Sequence, residues 1–392
     1  MSNHLDFDLR CALSCNRERE SMSRGIPEEL KDKFLFFEEF WKGEGPFPIL
    51  FARPHLAKGR NYLKHDLVEQ HRDVEKLLEE SILALGSYLD LIDDGIPVVR
   101  SDLGTTLLPS GLGLEVVVQP DQHPWLKSRL DPKEYLGLPD TLQIRHIRHG
   151  EINLSVTFYR RFFERQRRGE APADLYPYVP DTQGVFDLSH LIIGTDLFLL
   201  LNDDPETVHR IQRKSLELFL AGTRLFKDLL GESPNSMVHG HGMQLGVWFP
   251  HTGARISEDT CTLISANMIE EFCLPYIREA VAPFGRGFLH FCGKHDGFLR
   301  LVCEMPEIST LNLGNPQEYD LEELSALLGR TGTVYLGHIE PHKDEDGESY
   351  LERLADLCRR HGARLILVSG YCPRDGAEKA RLVQLWHELT RP

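Results

Sequence analysis

The sequence predicts a (β/α)8 barrel over residues 46–392, preceded by an N-terminal helical extension over residues 1–45. Three observations carry that expectation. Short apolar segments alternate with longer amphipathic ones, the pattern of a parallel α/β protein. Polar side chains gather at the C-terminal ends of the apolar segments, where this fold keeps its active sites. No Gly-x-Gly-x-x-Gly follows the first of them, which disfavours a doubly wound open sheet.

The predicted strands are Pro48–Arg53, Ile96–Ser101, Tyr176–Asp181, Ser236–His241, Gly287–Cys292, Ile308–Leu313, Thr333–Ile339 and Arg364–Ser369. Leu67, Val74, Leu77, Leu78, Leu85 and Leu89 mark one long helix between the first two. Residues 103–175 read as a loop plus a helix, Ile152–Arg167. Asp204-Pro205-Glu206 supplies an N-cap, a first-turn proline and an acid, and Val208, Ile211, Leu216, Phe219, Phe226 and Leu229 then line one apolar face. Ser349-Tyr-Leu-Glu352 reads as a capping box for a helix that ends at His361, with Gly362 as its stop.

Composition bounds the function. The 392 residues are 41% hydrophobic, enough for a large core. A net charge of −16 argues against nucleic acid as a partner, because phosphate binding needs clustered Lys and Arg. The longest apolar runs, such as Leu197-Phe-Leu-Leu-Leu201, are too short to span a bilayer. The first residues have neither the basic start nor the apolar run of a signal peptide. With 8 cysteines, that predicts reduced thiols and a cytoplasmic setting. Cys261, Cys273, Cys303 and Cys358 read as packing residues, and Cys11 and Cys15 as incidental.

The chemistry concentrates in His290-Phe-Cys292 and in Cys372, which follow two of the predicted strands. Side chains alternate along a strand, so His290 and Cys292 share a face. One imidazole and two thiolates suit zinc and leave a fourth tetrahedral position for water or substrate. The alternative is two unrelated core cysteines and a satisfied histidine. The same rim collects Arg53, Asp102, Asp181, Gln183, His239, His241, Asn312, His338 and Glu340. Of these, Asp102, His239 and His241 are the catalytic candidates, and Arg53, Gln183 and His338 the substrate-binding candidates. Asp102 also suits a helix N-cap ahead of Leu103, and the two histidines suit a second metal pair or hydrogen-bonded rim positions.

Several segments resemble the uroporphyrinogen decarboxylase superfamily, whose members share a (β/α)8 barrel. They are Asp203-Asp-Pro-Glu-Thr-Val208, Ile256-Ser-Glu-Asp259, Phe272-Cys-Leu-Pro-Tyr276, His290-Phe-Cys-Gly293 and Gly337-His-Ile-Glu-Pro341. Val99-Arg-Ser-Asp-Leu103 with Ser110-Gly-Leu-Gly-Leu-Glu-Val116 resembles the segment bearing the family's active-site aspartate, which implies that role for Asp102. The metal-free decarboxylases place a histidine after the last strand and paired arginines early in the chain. Here Gly370-Tyr-Cys-Pro373 carries a cysteine, and only Arg53 precedes Lys58 and Arg60. His290, Cys292 and Cys372 are similar instead to the ligand pattern of the zinc methyltransferases that move a methyl group between a corrinoid and a thiol. His239, His241 and His338 depart from the family's usual residues at those points.

The resemblance therefore implies zinc, a small-molecule thiol, and a corrinoid or corrinoid protein as methyl carrier, with a homodimer compatible. Two other readings stay open. One is a metal-free tetrapyrrole decarboxylase using Asp102 and Arg53; the other is a non-catalytic corrinoid- or metal-binding protein.

Overall fold

The computed structural model describes residues 27–51, 62–85, 93–138 and 150–392. Its strands are β1 (Ile49–Leu50), β2 (Ile96–Val99), β3 (Val116–Gln119), β4 (Gln122–Leu126), β5 (Tyr176–Pro177), β6 (Met237–His239), β7 (Leu245–Phe249), β8 (Thr252–Ser257), β9 (Arg286–Phe291), β10 (Ile308–Leu313), β11 (Val334–Ile339) and β12 (Leu365–Ser369). Six form a wholly parallel sheet in the order β1-β12-β11-β10-β9-β8. Four form a mixed sheet in the order β5-β2-β7-β6, with β2 and β5 parallel and the other pairs antiparallel. β3 and β4 make a separate hairpin in the stretch expected to be loop.

The protein is thus a mixed α/β fold, and a closed (β/α)8 ring is not shown. Among the described residues no ladder joins β1 to β2 or β5 to β8. The β1 and β2 regions are stitched together instead. Asp94 N–H donates to the Ile49 carbonyl at 3.2 Å, and Ile49 N–H donates to Asp94 Oδ2 at 2.8 Å. On the last helix, Lys379 reaches Asp93 and His387 reaches Asp94, each at 2.9 Å.

Strand composition follows position. β9 to β12 are buried along nearly their whole length, as strands covered on both faces must be, and carry Phe, Leu, Ile and Val runs accordingly. The expected strand at Ser236–His241 is correct only as β6, which turns back antiparallel into β7. On its other side β9 pairs with β8, Thr252-Gly-Ala-Arg-Ile-Ser, which is absent from the predicted strands because it is short of large apolar residues. Its backbone runs so close to the Ser233–Ser236 turn that a β-carbon on Gly253 would sit 1.8 Å from the Pro234 carbonyl oxygen.

Helix boundaries obey the capping chemistry. Asp204 accepts Thr207 N–H and opens Pro205–Leu230, which stops at left-handed Gly231. Gly347–His361 stops at Gly362 as expected, but its cap is Asp346, which accepts Ser349 N–H; Ser349 lies inside the first turn. A carboxylate on extended backbone took the position assigned to the hydroxyl. The single helix expected from Leu67 to Leu89 breaks into Leu67–Arg72 and Val74–Leu85, because Asp73 is extended and caps the second piece through Glu75 N–H. Leu89 lies outside the described residues, as does most of the expected extension over residues 1–45. The described helix there, Lys31–Lys42, packs on β7 through Phe34 against Trp248, with Trp41 Nε1 donating to the Trp248 carbonyl at 2.7 Å. Among the described residues no single helix is long and apolar enough to cross a membrane.

Gly253→Ala should cost about 3 kcal/mol, the upper end for forcing extra atoms into a packed site, measured by urea unfolding. Unchanged stability would show that β8 does not make this close approach.

Candidate functional site

The site is built where β8, β9 and β10 end side by side. Register places Ser257 beside His290 and His290 beside Asn312, so Asp259, two residues past the end of β8, comes to the same edge. There Asp259, His290 and Cys292 each offer a donor atom, and the three atoms lie within 4.8 Å of one another. His290 Nε2 is 3.4 Å from Cys292 Sγ and 3.6 Å from Asp259 Oδ1. Asp259 Oδ1 also accepts the Cys292 backbone N–H at 2.6 Å, which ties the carboxylate to the cysteine's own peptide.

The histidine's tautomer follows from its neighbour. Asn312 Nδ2 donates to the Leu336 carbonyl at 2.6 Å, so its Oδ1 must face His290 Nδ1, also at 2.6 Å. An amide oxygen only accepts, so Nδ1 carries the proton and Nε2 keeps its lone pair for the triad. Burial and then the Arg255 charge hold His290 below the usual imidazole range. Burial, followed by Asp259, pushes the Cys292 thiol up to about 11. Gly314 leaves room for that sulfur: a β-carbon there would lie 2.3 Å from it.

Asp259 is positioned by a pair of buried carboxyls. Glu258 accepts the N–H groups of Val185, Phe186 and Asp187, capping the helix Val185–Ile193. Asp187 in return accepts Asp259 N–H at 3.0 Å and Thr260 N–H at 2.7 Å. Burial and then the Asp259 charge push Asp187 up to about 7, and burial with Asp187 holds Glu258 well above the ordinary range.

A second polar layer lies beside the triad. Arg255 Nη1 meets Asp181 Oδ1 at 2.5 Å, and Arg100 meets Asp102 at 2.9 Å. Burial alone would raise Asp181, yet Arg255 and Arg100 hold it below its usual value. Gln183 is buried, has left-handed backbone (φ 59°), and donates Nε2–H to Asp181 Oδ1 at 2.8 Å. His239 Nδ1 accepts the His241 N–H at 2.9 Å. Burial, with Arg255 second, pushes both of these histidines well below the usual imidazole range.

Of the predicted ligands, His290 and Cys292 come together and Cys372 does not join them. Cys372 is exposed on the loop after β12, its sulfur 4.0 Å from the Pro373 carbonyl, and a carboxylate, Asp259, stands in the close group instead. Asp102 is exposed and paired to Arg100 rather than capping a helix, since Leu103 holds that N-cap position without a side-chain bond. His338 is hydrogen-bonded to exposed Glu340 at 2.7 Å. Arg53 lies outside the described residues, as do Cys11 and Cys15. Cys261, Cys273, Cys303 and Cys358 are buried, as their helix-like patterns implied. Asp259 and Arg255 were missed because β8, which carries Arg255 and leads into the turn bearing Asp259, was not recognised as a strand.

No protein-family profile matches the chain, and no curated protein matches it. A solved structure of a methyltransferase from Methanosarcina mazei superposes with a TM-score of 0.59, covering 88% of this chain and 94% of that one at 12% sequence identity. That likeness establishes a shared fold.

Asn312→Ala should weaken metal binding by about 10- to 100-fold, because it frees the His290 ring and strands the Leu336 carbonyl. Competition against a chromophoric chelator reads this directly; unchanged affinity would separate Asn312 from the ligand's orientation. In the metal-free protein, Asp187 takes its proton more readily when folded than when unfolded. Its contribution to stability is therefore present at low pH and lost as pH rises from its ordinary value of 3.8 through about 7. Denaturation of wild type and Asp187→Asn across that range should show the wild-type advantage shrinking as pH rises, and a constant difference would contradict it.

Proposed function

We propose that this protein is a zinc-dependent methyltransferase that moves a methyl group between a corrinoid and a thiol, on a barrel of which the two sheets are arcs. The observation that carries the metal reading is the donor set Asp259, His290 and Cys292, with His290 Nε2 freed by Asn312. Imidazole, thiolate and carboxylate together suit zinc better than a hard cation, which prefers oxygen alone. The methyltransferase of similar fold and the resemblance of His290-Phe-Cys292 to the zinc branch support the reaction class. That resemblance also implies the corrinoid and the thiol, both as substrates.

Bound zinc would lower the pKa of a substrate thiol, so that it is deprotonated at neutral pH. The chain's own residues prepare the place. Asn312 fixes the His290 ring, the Cys292 peptide N–H holds the Asp259 carboxylate, and the Asp187–Glu258 pair holds the turn that bears it. Arg255, His239 and His241 form the wall behind His290. Asp102, half exposed at the end of the Arg100 pair, can present its carboxylate to a substrate entering from solvent. We propose a cytoplasmic setting and small-molecule partners, in keeping with the acidic charge and the cysteine usage.

Purified protein should hold about one zinc per chain, lost in Cys292→Ala and kept in Cys372→Ala. Loss in both variants would place Cys372 in the ligand set, as the family pattern implies. Zinc-loaded protein given methylcobalamin and a small thiol should release a thioether, and chelation should stop it. Decarboxylation of uroporphyrinogen that survives chelation would overturn the assignment in favour of the decarboxylase reading.

A further inference from the structure

We infer that His241 is the fourth donor of the metal centre in the absence of substrate, completing the coordination of Asp259, His290 and Cys292 and giving up its place when a substrate thiolate enters. The inference rests on the metal reading above. Three facts lead to it. The His241 ring lies 4.3 Å from the His290 ring, centroid to centroid. Its Nδ1 is buried and has no hydrogen-bond partner among the described residues. A buried polar atom of this kind costs free energy unless something pairs with it, and an ion is one such partner.

The third fact is the backbone. His241 has φ of 46°, in the left-handed region that only a few per cent of non-glycine residues visit, histidine among the more frequent of them, and Gly242 follows at 81°. Three hydrogen bonds hold this turn between β6 and β7. His241 N–H donates to His239 Nδ1 at 2.9 Å, Gly242 N–H donates to the Tyr178 hydroxyl at 3.2 Å, and Met243 N–H donates to the Gly240 carbonyl at 2.9 Å. Surroundings that impose an unfavourable conformation commonly do so for a site. Here the imposed conformation carries an imidazole with an unused nitrogen to the flank of a metal-ligating histidine.

Charge balance favours an imidazole over a further anion. One thiolate and one carboxylate already neutralise a divalent cation, so a neutral fourth donor strands no net charge. Arg255 adds no uncompensated charge beside it, because Asp181 pairs with it at 2.5 Å. His241 stands outside the close group of three, so rotation of its own side chain is the movement that brings it in.

The experiment uses cobalt(II) as the probe, in wild type, His241→Phe, His241→Ala and Cys372→Ala. Phenylalanine keeps the ring that packs on His290 and Phe288 but supplies no donor. His241→Phe should shift and weaken the visible cobalt bands while the near-ultraviolet thiolate band from Cys292 persists. It should also bind zinc about 10-fold or more weakly, the lower range for disturbed ligand shells. Imidazole added to His241→Ala should restore the wild-type bands, which a packing role would not produce. Cys372→Ala should match wild type. A His241→Phe spectrum and zinc affinity identical to wild type would overturn this inference alone, leaving the three-residue site standing. Wild type that takes up no cobalt would overturn the metal reading itself. Cobalt bands lost in Cys372→Ala but unchanged in His241→Phe would give the fourth position to the cysteine.

Discussion

The site depends on the parallel pairing of β8 with β9. That register sets Ser257 against His290, so the chain leaving β8 presents Asp259 level with His290 and Cys292. A slip of one residue would turn His290 to the opposite face and break the donor set. The pairing is protected at both ends. Gly253 lets the Pro234 and Phe284 carbonyls approach at the start of β8, Gly287 makes room for the Val281 side chain at the start of β9, and the Asp187–Glu258 exchange of hydrogen bonds fixes the chain just beyond β8.

This arrangement links stability to chemistry through buried acids. Glu258 and Asp187 each accept backbone N–H groups that would otherwise be orphaned at a helix start, which favours leaving both carboxyls in place. Their mutual proximity and burial disfavour two negative charges, and the resulting compromise is a pair that retains protons unusually well. On the other side of His290, neutral Asn312 performs the orienting role without adding charge. The candidate metal site is thus framed by groups that fix its geometry, with net charge supplied mainly by Asp259 and by Cys292 once deprotonated.

Part of this was legible in one dimension. His290 and Cys292 are two positions apart on an apolar run flanked by glycines, and a period of two puts them on one face whatever the rest of the fold. The rim list included Asn312 for the same reason, because Ile308–Leu313 reads as a strand ending in a polar residue. Asp259 was quoted within a motif but not recognised as a donor. The strand leading to it, Thr252-Gly-Ala-Arg-Ile-Ser, lacks the apolar density that marks a buried strand in sequence, and its burial comes from neighbours distant in the chain.

The sequence by itself determined the α/β alternation, the buried strands from β9 to β12, the Asp204 cap and the Gly362 stop, and the His-x-Cys half of the site. Each of those rests on local chemistry: side-chain periodicity, capping carboxylates, and glycine at left-handed turns. Only the tertiary structure decided that β6 folds back on β7, that β8 lies beside β9, and that Asp259 rather than Cys372 completes the close group. Those outcomes turn on contacts between residues tens of positions apart, such as Gly253 with the Pro234 carbonyl and Asp187 with Asp259. No spacing rule along the chain encodes them.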